Sequence, residues 1–144
     1  MAFIEIISKS YTDTEAAGRV LAGRLQPGSV VAMYGDLGAG KTAFVRGMGA
    51  GLGHTGVKSP TYTIVDEHIG GTMPLFHFDM YRLGGEDELF DIGWEDYLTR
   101  GGICAVEWSE NVPGALPSDS VKVRIEKIPG EDESRKIILE GVQW

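Results

Sequence analysis

A glycine-rich loop holds the residues whose types and spacing most clearly suggest chemistry. Residues 35–42 read GDLGAGKT and fit the Walker A pattern G-x-x-x-x-G-K-[ST]. Glycines let the backbone curl so that successive N–H groups point at an anion, and the start of a following helix favours the same charge. Lys41 can reach the β- and γ-phosphates, and Thr42 can offer a hydroxyl to Mg²⁺. The loop therefore predicts binding of a nucleoside triphosphate together with Mg²⁺.

A phosphate loop of this kind also needs an acidic residue at the end of a neighbouring strand to hold the metal ion. Two carboxylates end apolar runs: Asp79 follows residues 75–78, and Glu107 follows residues 103–106. Either could instead be a solvated carboxylate, and spacing alone does not rank them. The guanine-recognition pattern Asn-Lys-x-Asp is absent, since the one asparagine, Asn111, precedes a valine. ATP is therefore the expected nucleotide.

Hydrophobic patterning predicts the elements that position these residues. Residues 29–34 form an apolar run that suits a strand buried on both faces, and residues 41–52 place apolar side chains on one side of a helix. A second short buried strand is expected at 103–107. Residues 61–68 and 74–80 flank a Gly-Gly turn and predict a β-hairpin.

The flanking segments complete the predicted domain. We expect a strand at 3–7, a helix that starts near Thr12, one or two short helices over 86–98, and a closing hairpin of 121–128 with 135–139. No repeat or long linker divides the chain. The pattern predicts a single α/β domain over residues 1–144, a three-layer fold like that of P-loop NTPases. Its central sheet is expected to be mixed and mainly parallel, with β-hairpins added.

Composition excludes several other classes of protein. The 144 residues include 13 Lys and Arg against 21 Asp and Glu, a formal net charge of −8, and a single cysteine. An acidic surface argues against strong direct binding of nucleic acid, and one cysteine cannot form an internal disulfide framework or a cysteine-only zinc site. No apolar run reaches the ~18 residues of a membrane span, and the N-terminus lacks signal-peptide features. We expect a soluble, cytoplasmic protein that does not act at a membrane.

Four motifs in order resemble one known family. They are GDLGAGKT at 35–42, SPTYT at 59–63, HFDMYR at 77–82 and EW at 107–108. Together they resemble the TsaE (YjeE-like) family of small bacterial ATPases, whose members take part in making threonylcarbamoyladenosine beside the anticodon of ANN-decoding tRNAs. The likeness covers residues 29–111 well, whereas the first helix and last hairpin agree only in layout. It implies ATP and Mg²⁺ as cofactors, and hydrolysis that supports a TsaB–TsaD protein complex.

The resemblance also implies roles for individual residues. The residues expected to wrap the phosphates are Leu37, Gly38, Ala39, Gly40, Lys41 and Thr42. Thr42 is expected to ligate the metal, Glu107 to be the activity-critical, metal-associated acid, and Asp79 to fill the Walker B-like position.

The same resemblance implies positions around this centre. Ser59 and Thr61 belong to a switch-like loop, in which Thr61 is the residue expected to sense the γ-phosphate. The segments near Thr12 and Arg135 are expected to flank the adenine, and Trp108 to lie beside the site.

The predicted reaction is hydrolysis of ATP to ADP and phosphate, with Lys41, Glu107 and Asp79 as catalytic residues. Glu107 is the first choice for positioning or activating the attacking water, and no arginine finger can be identified, so slow intrinsic turnover is expected. Two alternatives stay open: a small-molecule kinase, against which the few scattered arginines argue, and a nucleotide-gated regulatory module with incidental hydrolysis. His77 could orient the strand that carries Asp79 or could be a core residue satisfied beside a hydroxyl, and the second interpretation is preferred.

Overall fold

The elements of secondary structure follow one another as alternating strands and helices. The structure is a computed structural model that describes residues 3–36, 38–58, 60 and 64–144. In chain order the elements are β1 (Phe3–Ser8), α1 (Tyr11–Ala22), β2 (Val30–Tyr34), α2 (Lys41–Gly51), β3 (Val65–His68), β4 (Leu75–Asp79), α3 (Glu86–Asp91), α4 (Trp94–Leu98), β5 (Ile103–Glu107), β6 (Val121–Ile128) and β7 (Glu131–Glu140). Short 3-10 turns at Ser109–Asn111 and Pro113–Ala115 follow β5.

Within the described residues the strands form one seven-stranded sheet in the order β1-β7-β6-β2-β5-β4-β3. The pairings among β6, β2, β5 and β4 are parallel. The hairpins β6–β7 and β3–β4 and the pair β1–β7 are antiparallel. The expectation of a mixed sheet with a parallel centre and added hairpins is confirmed. Because β2, β5 and β4 run the same way, their carboxyl ends meet at one edge of the sheet.

Helices cover the central strands on both faces, which confirms the three-layer arrangement. On one face α1 and α2 bury an apolar cluster that includes Leu21, Phe44 and Met48. On the other face α3 and α4 pack around Trp94 and Phe78. Successive residues of β2 alternate between the two clusters, since Val31 joins the first and Val30 the second. Burial on both faces explains why this strand is a continuous apolar run.

A glycine allows α1 and α2 to pack closely. A Cβ on Gly47 would lie 1.9 Å from the carbonyl oxygen of Glu15, well inside van der Waals contact. Backbone cannot yield as a flexible side chain can, so only a residue without a Cβ permits this crossing. The close contact brings the first turn of α1 next to the loop that precedes α2.

The first helix begins earlier than predicted. Its N-cap is Ser10, whose extended backbone lets the hydroxyl accept the N–H of Asp13 at 3.1 Å. The helix therefore starts at Tyr11, and Thr12 is an exposed residue of its first turn. Capping residues can occupy several adjacent polar positions in this segment, and the backbone geometry at Ser10 decides among them.

The closing hairpin is tighter than predicted. Strand β7 extends from Glu131 rather than from 135, and the turn contains Gly130 with a φ of +81°. Residues 131–133 are exposed; Glu131 pairs with Ile128, and a register shift separates that pair from the pairing of Lys127 with Arg135. Among the described residues, none of the helices is long and apolar enough to cross a membrane.

Candidate active site

The glycine-rich loop connects β2 to α2 at the carboxyl edge of the parallel strands. Gly40, the residue before α2, has a φ of +109°. That conformation is unfavourable for a residue with a Cβ, so glycine is needed where the loop turns into the helix. The turn leaves the first N–H groups of α2 without helical partners, and together with the helix dipole they favour an anion.

A cavity of about 450 Å³ opens over this loop, a volume within the usual range for sites that bind small molecules. Three parts of the chain contribute to its wall: the loop with the start of α2, the ends of β4 and β5, and a rim from α1 and β7. The lining residues discussed below are Tyr11, Thr14, Gly38, Ala39, Gly40, Lys41, Thr42, Asp79, Glu107, Trp108 and Arg135. Residues from both ends of the sequence therefore meet at one site.

Lys41 is buried in the cavity wall, where its ammonium group already has partners. Its Nζ donates a hydrogen bond to the carbonyl oxygen of Gly35 at 2.6 Å. The same nitrogen lies 3.6 Å from the centre of the Trp108 ring, an arrangement that allows a cation–π interaction. Burial lowers the pKa of Lys41, while nearby carboxylates, Glu107 first among them, oppose that shift.

The two acids predicted from strand ends lie side by side. Asp79 and Glu107 are directly paired in the parallel register of β4 and β5. Glu107 is only 3% exposed, and its Oε2 accepts a hydrogen bond from the Thr42 hydroxyl at 3.5 Å. Asp79 Oδ1 accepts the N–H of Tyr81 at 3.0 Å. Burial raises the pKa of Asp79, and the neighbouring Glu107 carboxylate adds to that rise.

His77 is a site residue whose partner the sequence did not identify. It is completely buried on β4, and its Nε2 is hydrogen-bonded to Oε2 of Glu107. A hydroxyl partner was expected, so that interpretation is wrong: the partner is a carboxylate. The H-x-D spacing places His77 and Asp79 on one face of a strand. The spacing does not reveal how β4 pairs with β5, and it is this pairing that brings Glu107 next to His77 and Asp79.

The oxygen atoms of Thr42, Asp79 and Glu107 are chemically suited to Mg²⁺. This ion prefers hard oxygen donors, and proteins usually bind it through one or two carboxylates together with phosphates and water. Thr42 and Glu107 are within hydrogen-bond distance, and burial makes the charge on Asp79 unfavourable without a nearby cation. The donor set therefore fits a Mg²⁺ ion that arrives with nucleotide phosphates. In the described part of the chain, no three or more His, Cys, Asp and Glu side chains form a metal-binding group by themselves.

The rim of the cavity brings together the two segments that were expected to flank the adenine. Arg135 donates from Nε to the Ala39 carbonyl at 2.8 Å and from Nη2 to the Gly38 carbonyl at 3.3 Å. Tyr11 and Thr14 of α1 also line the cavity. Thr12 lies between them in sequence but is exposed and not part of the wall. The segment near Thr12 therefore lies at the rim through its neighbours Tyr11 and Thr14, and its contact with adenine stays a prediction.

Three residues assigned from the sequence lie outside the described residues. They are Leu37 of the phosphate loop and Ser59 and Thr61 of the switch-like loop. Their expected contributions stay predictions. Of the other phosphate-loop residues, Gly38, Ala39, Gly40, Lys41 and Thr42 all line the cavity.

Comparison with protein families gives one extended match. The family model described as "Threonylcarbamoyl adenosine biosynthesis protein TsaE" matches residues 8–137. The match includes the phosphate loop, both strand-end acids and nearly all of the closing hairpin. It thus reaches beyond the segment 29–111 in which the motif resemblance was strongest.

Individual proteins show the same likeness. The tRNA threonylcarbamoyladenosine biosynthesis protein TsaE of Bacillus subtilis (strain 168) is 42% identical over 131 residues, which cover 90% of this chain and 80% of that protein. The protein of the same name from Haemophilus influenzae is 48% identical over 112 residues, covering 76% and 68%. The crystal structure of Bacillus subtilis YdiB superposes with a TM-score of 0.81 at 32% identity, covering 96% of this chain and 84% of that one.

Proposed function

Because this chain belongs to the TsaE family, we propose that it is a Mg²⁺-dependent ATPase that acts in the threonylcarbamoyladenosine modification of ANN-decoding tRNAs. In this proposal its hydrolysis of ATP supports a TsaB–TsaD-type protein complex, and that complex, rather than this chain, modifies the RNA. The formal net charge of −8 is compatible with a protein partner and with tRNA held elsewhere.

One observation supports the ATPase proposal above all others. Lys41, Thr42, Asp79 and Glu107 come from three separate elements and line one cavity. Each supplies a part that phosphoryl transfer requires: a cation for the phosphates, a hydroxyl and carboxylates for the metal, and a carboxylate for the water. The aligned carboxyl ends of the parallel strands explain why these groups converge.

The chain's own residues perform defined tasks in the proposed reaction. The loop N–H groups hold the phosphate oxygens, and Lys41 leaves the Gly35 carbonyl and the Trp108 ring to reach the β- and γ-phosphates. Thr42 and Asp79, with Glu107, would hold Mg²⁺, which neutralises charge that develops on the transferred phosphoryl group. Glu107 orients the attacking water and accepts its proton.

The arginine nearest the phosphate loop is already engaged. The guanidinium of Arg135 bonds to the carbonyls of Gly38 and Ala39, so it stabilises the loop rather than pointing freely into the cavity. Arginine fingers contribute about 10³–10⁵ in rate where they occur. We therefore expect slow hydrolysis by the isolated protein and regulation or completion of the site by a partner.

Binding and phosphate release by two variants test the proposal. Lys41→Ala should lose measurable ATP binding, since the phosphates lose their main cation. Glu107→Ala should keep ATP binding, while its rate of phosphate release falls about 10²-fold or more, the usual contribution of a general base. Lys122→Ala, which removes an exposed lysine outside the cavity, serves as the matched control.

The same assay discriminates between the candidate activities. An ATPase releases phosphate without any added acceptor, whereas a small-molecule kinase does not. Normal hydrolysis by Glu107→Ala would show that the role given to this carboxylate is wrong. Absence of ATP binding by the folded wild-type protein would overturn the proposal as a whole.

A further inference from the structure

A buried hydrogen bond joins the middle of β4 to the acidic end of β5. The imidazole of His77 is fully buried, and its Nε2 contacts Oε2 of Glu107. The other ring nitrogen, Nδ1, is also buried, and the described residues offer it no hydrogen-bond partner. A proton on Nδ1 would be a buried donor without an acceptor, which is unfavourable. The ring therefore carries its proton on Nε2, and this N–H donates a hydrogen bond to the Glu107 carboxylate.

Glu107 receives a second hydrogen bond at the same oxygen. The Thr42 hydroxyl donates to Oε2 from the first turn of α2, at 3.5 Å. Both bonds end on Oε2, so neither engages Oε1. The two hydrogen bonds differ in whether they would persist when a nucleotide binds. Thr42 is the hydroxyl that would turn toward Mg²⁺ when a nucleotide is bound. His77 is fully buried within the central sheet, and its other ring nitrogen has no hydrogen-bond partner among the described residues.

We propose that His77 is a positioning residue that holds the Glu107 carboxylate through Oε2 when Thr42 turns to the metal, leaving Oε1 to act on the water. This inference rests on the proposed ATPase function and adds a residue to it. His77 touches neither the phosphates nor the water, so it acts entirely through Glu107. Loss of its hydrogen bond should therefore lower kcat and leave the affinity for ATP nearly unchanged.

Two substitutions of His77 separate the hydrogen bond from the packing. His77→Leu fills a similar volume without a donor, and His77→Gln places an amide N–H near the position of Nε2. We expect kcat to fall about 10–100-fold in the leucine variant, as for other residues that orient a functional side chain. The glutamine variant should recover most of the loss. The dissociation constant for ATP should stay within about twofold of the wild-type value in both variants, because neither removes a phosphate contact.

A second buried histidine provides the control. His54 is also buried, but its Nε2 contacts the carbonyl oxygen of Met73, outside the cavity. His54→Leu should leave kcat unchanged even where it lowers the melting temperature. A wild-type kcat in His77→Leu, or a glutamine variant no more active than the leucine variant, would overturn the inference.

A measurement on the wild-type protein covers the case in which a variant does not fold. Nitrogen-15 NMR of the histidine rings in the nucleotide-free protein should show a proton on Nε2 of His77. Absence of a proton on Nε2 would overturn the inference whatever the variants do. If the wild-type protein releases no phosphate, the proposed function fails, and the NMR result still decides whether His77 donates to Glu107.

Discussion

Trp108 combines an unusual backbone conformation with a contact to Lys41 of the phosphate loop. In the described part of the chain, Trp108 alone among the non-glycine residues has a positive φ, of +59°. Such a conformation is costly for a bulky side chain and is found mainly where function requires it. Here it places the indole ring against the Lys41 ammonium, and the ring also packs against Tyr81 at a centroid distance of 5.0 Å. The ring therefore contacts the lysine that is proposed to bind the phosphates.

Nucleotide binding should change the surroundings of Trp108. When Lys41 moves to the phosphates, the indole loses a cation from its face, so we expect the tryptophan fluorescence of the protein to change on addition of ATP and Mg²⁺. Titration of the wild-type protein measures this signal. Trp108→Phe should bind ATP with little change in fluorescence, since Trp94 is fully buried and neither Trp94 nor Trp144 lines the cavity. An equal signal in the phenylalanine variant would contradict the assignment.

At the scale of elements, the contact between α1 and α2 determines where the rim of the cavity lies. Gly47 allows the two helices to approach, and the first turn of α1 then supplies Tyr11 and Thr14 to the wall. Helix packing and site geometry are therefore linked through one crossing point.

Gly47→Ala should weaken both stability and nucleotide binding. Its Cβ would meet the backbone of Glu15, so α1 must shift, at a cost of about 1–3 kcal/mol in the free energy of unfolding. Thermal unfolding and ATP titration measure the two effects. Gly23→Ala is the matched control, because its Cβ would meet only the Val20 carbonyl at 3.5 Å with φ at −71°. Equal melting temperatures for the two variants would argue against a tight crossing.

The elements around the phosphate loop were predictable because their signals are local. The apolar run before the loop and the motif itself predict β2, the loop and α2, and the acids that end two apolar runs are the ones that meet. The contacts of His77 and Arg135 could not be predicted, because each depends on strand pairing between distant parts of the chain. The start of α1 was predicted near Thr12, whereas its N-cap is Ser10, and the residues at the cavity wall are Tyr11 and Thr14 rather than Thr12.

At the scale of the whole molecule, Trp108 connects the cavity to the exposed surface. Tyr81 packs against its ring and is 51% exposed. A movement of Lys41 and Trp108 on nucleotide binding would therefore alter a patch that another protein can contact. We therefore expect the surface offered to a partner to differ between nucleotide states.

Retention of a TsaB–TsaD-type complex on the immobilised protein should depend on the nucleotide. We expect the amount retained to differ between ATP, ADP and the nucleotide-free form, because the Trp108–Tyr81 surface changes with the position of Lys41. Lys41→Ala should show one level of retention under all three conditions. Equal retention of the partner by the wild-type protein in every state would contradict a switch, while leaving hydrolysis itself untouched.

The bonds from Arg135 to the carbonyls of Gly38 and Ala39 span 97 and 96 positions of the chain. A protein engineer who grafts residues 35–42 into a foreign scaffold would transfer the glycines and the lysine but not the guanidinium that braces them. Such a transplant would need a substitute brace, because the shape of this short motif is encoded in part near the opposite end of the polypeptide.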